Sequence, residues 1–112
     1  MDAGVLEELF EIMEEDALSL LRQYLGNSIE LLKEIVRAVA AKDAEGLVLP
    51  AHSLKSSSAN VGAMRVSALA KKLEFMGREN NMDKAAAGWK KLQEEYSLSA
   101  DALKVIIQRG GL

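Results

Sequence analysis

Apolar residues recur along the chain at spacings of three and four, the period of one helix face. Five segments carry this pattern, and none alternates as a strand would. The first runs from Val5 to Glu14, with Val5, Leu6, Leu9, Phe10 and Met13 on one side. Asp16 is placed to cap a long helix ending near Lys42, through Leu18, Leu21, Leu25, Ile29, Leu32, Ile35, Val36 and Val39. Gly26 and Asn27 weaken that helix locally without breaking it. Asp43 caps a third helix reaching about Asn60, and Val61-Gly62 supplies its stop. A fourth spans Arg65 to Glu79, with a polar turn predicted over Gly77 to Met82. Asp83 opens the last, whose stripe of Ala85, Trp89, Leu92, Tyr96, Ser99, Leu103 and Ile106 alternates spacings of four and three.

One helix cannot bury such a stripe alone. Four long amphipathic helices joined by short turns predict an all-α antiparallel four-helix bundle, with the short N-terminal helix as a lid over one end. Residues 1–112 read as a single domain, without repeat, linker or low-complexity stretch. Pro50 stands inside the third helix, where proline removes a hydrogen bond and costs about 3 kcal/mol. Because Asp43-Ala44-Glu45 is a good helix start, a continuous but bent helix is the expectation, over a short turn followed by a new helix beginning at Pro50.

Composition narrows the chemistry. With no cysteine and one histidine, disulfides, thiol catalysis, iron–sulfur clusters and cysteine or histidine zinc cages drop out. A net charge of −3 without a basic block argues against nucleic acid and anionic membranes. Lys71-Lys72 and Lys90-Lys91 are too isolated for a nucleic-acid track, and the acidic cluster Glu7, Glu8, Glu11, Glu14, Glu15 and Asp16 reads as a solvated face. No apolar run approaches the roughly 20 residues of a membrane span, and Met1-Asp2-Ala3-Gly4 lacks a basic signal region, so a cytoplasmic chain is expected.

The one histidine carries the remaining signal. On a wheel of about 100° per residue, Leu47, Ala51, Leu54, Ser58 and Val61 share one face, and His52 lies nearly opposite. Val48, Ser56 and Ala59 share the side of His52, with Lys55 one turn on at its flank. A lone exposed histidine is most often just solvated. An ordinary outer face, however, carries Lys, Glu and Gln, whereas this one carries small residues that let another surface approach. A neutral imidazole is a competent nucleophile, and Lys55 places one positive charge within reach of an anion on it.

The stretch Ala51-His52-Ser53-Leu54-Lys55-Ser56-Ser57-Ser58-Ala59-Asn60-Val61-Gly62-Ala63 resembles the signature of histidine phosphotransfer (HPt) domains, approximately A-H-x-L-K-G-S-x-x-x-x-G-A. Asp43 before it, Leu69-Ala70-Lys71-Lys72-Leu73-Glu74 after it and the long last helix extend the likeness over nearly the whole chain. The resemblance implies that His52 accepts a phosphoryl group from a receiver-domain aspartate and passes it to another receiver, as between a hybrid sensor kinase and a response regulator. It implies that Lys55 helps neutralise that group and that Glu74, 22 residues after the histidine, orients the imidazole. Ordinary surface charge is the competing account of both, with Arg78 as a simple i,i+4 partner of Glu74. Ser56 departs from the usual glycine, which bears on the detail of docking.

A receiver would lie over Val48, Ser56 and Ala59 and would bring its own Mg²⁺, so no cofactor is expected on this chain. With no Gly-rich phosphate loop it cannot be the kinase: it reads as a phosphocarrier, not an enzyme, and as a monomer. The alternative is a non-catalytic helical adaptor that binds a signalling partner through the same face.

Overall fold

The computed structural model describes residues 1–112 as five helices: α1 (Ala3–Met13), α2 (Asp16–Ala40), α3 (Ala44–Asn60), α4 (Met64–Arg78) and α5 (Ala85–Arg109). Helices α2 to α5 run antiparallel in chain order and close into a four-helix bundle, with α2 and α4 each packed on both α3 and α5. The molecule measures 41 × 20 × 18 Å. Its long axis is set by α2 and α5, each of 25 residues and so about 37 Å at 1.5 Å rise per residue. The core is aliphatic, and each bundle helix contributes fully buried side chains: Leu21 and Ile35, Leu47 and Leu54, Val66 and Leu73, Leu92 and Leu103. The stripe predicted on α3 is buried along its length, from Leu47 through Ala51, Leu54 and Ser58 to Val61. Trp89 and Tyr96 pack half-buried against this core.

Helix α1 lies across one end of the bundle. The Asp2 N–H donates to the Gly62 carbonyl at 2.8 Å, Asp2 Oδ1 caps α1 by accepting from the Val5 N–H at 3.1 Å, and Leu6 is buried. Gly62 turns the chain from α3 into α4 at φ +81°, and a Cβ there would meet the Asp2 carbonyl oxygen at 3.0 Å. Glycine is thus required twice over, by conformation and by contact.

Three expected boundaries move, each for a local reason. Asp16 is the first residue of α2 rather than its cap, because a preceding turn, with the Ala17 N–H on the Glu14 carbonyl at 3.2 Å, meets the helix entrance. Asp83 is not the cap of α5, which enters through a turn in which the Ala85 N–H reaches the Met82 carbonyl at 3.1 Å. Gly77 belongs to α4 rather than to the turn, because it is buried where α4 presses on α3. The other boundary features stand. Asp43 caps α3 by accepting from the Gly46 N–H at 2.9 Å, α2 continues through Gly26-Asn27, and α3 continues through buried Pro50.

Candidate functional site

His52 projects from the middle of α3 with half of its side chain (49%) exposed. The core stripe fixes this outcome, since burying Leu47, Ala51 and Leu54 turns His52 outward. Ser56 is exposed beside it and Ala59 half-buried. Val48 is also half-buried and leans toward α4, where Gly77 lies against it. The face around His52 is open, with Ser53 and Ser56 exposed on it. An open face of this kind suits a protein surface better than an enclosed small molecule.

Glu74 approaches from α4. Only 5% exposed, its carboxylate gathers three cationic or donor groups. Oε2 lies 3.1 Å from His52 Nδ1. The same oxygen accepts from Arg78 Nε at 2.8 Å, with Arg78 Nη2 2.7 Å away. Oε1 is 2.9 Å from Lys55 Nζ, an ion pair in which the ammonium faces the second carboxylate oxygen. Burial alone would raise the pKa of Glu74. Lys55, Arg78 and His52 outweigh that effect and hold it at about 2.

This electrostatic arrangement assigns the tautomer. An ionised carboxylate only accepts hydrogen bonds. Nδ1 of a neutral His52 must therefore carry the ring proton toward Glu74, which leaves the Nε2 lone pair free. A nucleophilic nitrogen on an exposed face, backed by a buried anion and flanked by two cations, can accept an electrophilic group such as a phosphoryl.

The structure thus joins His52, Lys55 and Glu74, and adds Arg78, which i,i+4 spacing marks only as a helix pair. Arg78 does make that pair, yet on the very oxygen that faces the imidazole. Two further residues had no sequence signal as site residues. The Ser67 hydroxyl on α4 donates to the Lys55 carbonyl at 2.8 Å, and Gly77 sits where α4 lies directly against the Ala44 carbonyl and Val48 of α3.

The Hpt domain family model matches residues 19–102. The chain is 30% identical over 94 residues to the phosphorelay intermediate protein rdeA of Dictyostelium discoideum, covering 84% of this chain and 37% of that relative. It therefore spans little more than a third of the length of that protein. Among solved structures it is similar to histidine-containing phosphotransfer protein B of Pseudomonas aeruginosa PAO1, with a TM-score of 0.94 and 32% identity over 97% of this chain and 95% of that one. With the fold, the central motif and the matched span in agreement, the chain belongs to the Hpt domain family.

Proposed function

We propose that the chain is a phosphorelay intermediate in which His52 is the phosphoacceptor. The observation that carries this reading is the contact of His52 Nδ1 with the buried, ionised Glu74, which leaves Nε2 as a free nucleophile on an open face. Nε2 attacks the phosphorus of an aspartyl phosphate on a receiver domain. An N–P bond forms, and the bond from phosphorus to the aspartate oxygen breaks, returning that carboxylate with its electron pair. The ring becomes cationic in the process, and Glu74, which keeps the Nδ1 proton in its hydrogen bond, stabilises that charge. Reversal onto the aspartate of a second receiver completes the relay.

Lys55, whose ammonium sits one turn from His52, supplies positive charge to the phosphoryl oxygens. Val48, Ser56 and Ala59 form the floor of the docking surface, and Ser56 adds a hydroxyl where the family commonly has glycine. In this reading the receiver brings the Mg²⁺, and the chain acts as a phosphocarrier rather than as the kinase. Its large exposed apolar side chains are spread over all five helices, from Ile12, Ile29 and Leu49 to Phe75, Leu98 and Val105. That spread fits a monomer, and we place the chain in the cytoplasm with receivers as its partners. The test is reconstitution with a phosphorylated donor receiver and a second receiver. Label is expected on the second receiver only when this chain is present. Equal label without the chain, or none with it, would contradict the relay and leave an adaptor.

A further inference from the structure

The His52–Glu74 contact spans two helices, so its 3.1 Å length is set by whatever fixes α3 against α4. Beyond the apolar core that the two helices share, two contacts do so, one on each side of the site. On the C-terminal side of His52, the Ser67 hydroxyl donates to the Lys55 carbonyl at 2.8 Å. Ser67 is only 9% exposed, and this is the one hydrogen bond from an α4 side chain to the α3 backbone. On the N-terminal side, Gly77 lets the helices close. A Cβ there would stand 2.7 Å from the Ala44 carbonyl oxygen and 2.9 Å from Val48 Cγ2, both too close for a real contact. Glu74 lies between these points on α4, about 4.5 Å along the helix from Gly77 and about 10.5 Å from Ser67.

We propose that Ser67 and Gly77 are positioning residues for phosphoryl transfer, which together hold α3 and α4 at the spacing that keeps Glu74 on His52 Nδ1. The proposal rests on the phosphorelay reading for its rate, but not for its geometry. Ser67 holds α3 at Lys55, the residue whose ammonium also reaches Glu74, so the hydroxyl fixes the α3 backbone at one partner of the carboxylate and one turn from His52. Gly77 acts through the absence of a side chain. Any Cβ displaces α4 from α3 one turn from Glu74, where the chain has no slack because Ala44 O is backbone.

The experiment reads the ring nitrogens of His52 by nitrogen-15 NMR at a pH where the imidazole is neutral, together with single-turnover transfer from a phosphorylated receiver. The parent is expected to hold the Nδ1–H tautomer. Ser67→Ala and Gly77→Ala are expected to shift population to the Nε2–H form that a free imidazole prefers. Transfer is expected to slow by about tenfold to a hundredfold, the scale of a reacting group misplaced by about an ångström. Ser67→Thr, which keeps the hydroxyl, should retain the parent's tautomer and rate. The proposal is overturned if Ser67→Ala, with unchanged helicity, keeps the parent's tautomer ratio and rate, or if Ser67→Thr fails as alanine does. Should Gly77→Ala not fold, the two Ser67 variants decide alone. A parent that holds the Nδ1–H tautomer yet accepts no phosphoryl would contradict the function and leave the positioning role intact.

Discussion

A buried carboxylate is costly unless its charge is compensated, and Glu74 is compensated by groups that also make the site. This has a consequence for acid stability. The pKa of Glu74 is depressed in the folded chain, from 4.5 to about 2. The stabilisation linked to its ionised form is therefore complete above the unfolded value and is lost as pH falls from 4.5 through about 2. Urea unfolding of the parent and of Glu74→Gln at stepped pH should show a stability difference that varies across that window and is flat above it. A difference independent of pH would mean that Glu74 is not ionised against its cations. At this scale the sequence was partly legible. The direction of His52 follows from Leu47, Ala51 and Leu54 alone, whereas the pairing with Glu74 was implied only by the resemblance to HPt domains, which marks the position 22 residues after the histidine. Ser67 was not legible, because a hydroxyl bound to a carbonyl of another helix leaves no pattern in either segment.

Helix α3 presents the histidine, and its start is built from local chemistry. Asp43 accepts from the Gly46 N–H, and a Cβ at Gly46 would collide with the Asp43 carboxylate, so cap and glycine work as a pair. Asp43→Ala removes the acceptor and should lower stability by about 1 kcal/mol, read as a fall in the urea midpoint at constant slope. An unchanged midpoint would show that the α2–α3 turn, in which the Asp43 N–H donates to the Ala38 carbonyl at 2.8 Å, holds the helix start by itself. The same local logic misplaced Asp16 and Asp83. An acid before a helix is only a propensity, and at both places turn carbonyls from Glu14 and Met82 already serve the first amides. Gly77 misled in the other direction. The polar stretch from Gly77 to Met82 reads as a turn, but Gly77 serves close approach between helices, which depends on a neighbour that the local sequence does not contain.

Across the whole molecule, the periodicity of three and four specified the bundle because every long stripe had to be covered by another. Its interior polar groups were less legible. Tyr24 and Ser58 hydrogen-bond at 2.7 Å and link α2 to α3, while Ser28 and Tyr96 at 2.6 Å link α2 to α5. The two tyrosine rings lie 6.4 Å apart. Burial pushes the Tyr24 hydroxyl up to about 12, against the lowering effect of its Ser58 bond and with a small raise from Tyr96. Because the folded value is the higher one, stability from the neutral phenol is complete below the unfolded value of 10.0 and is lost as pH rises through about 12. In an ultraviolet titration Tyr24 should ionise late, together with loss of helicity. Ionisation of Tyr24 near pH 10 with the fold intact would place its hydroxyl in contact with solvent.

In the function proposed above, Glu74 holds the His52 proton on Nδ1 so that Nε2 takes the phosphoryl group. The most direct test is nitrogen-15 and phosphorus NMR of the histidine-labelled chain after mixing with a phosphorylated receiver domain. Phosphorus is expected on Nε2 of His52, labile in acid and stable in alkali, with no phosphoryl on a folded His52→Gln variant. Phosphorus on Nδ1, on another residue, or retained in His52→Gln would contradict this reading.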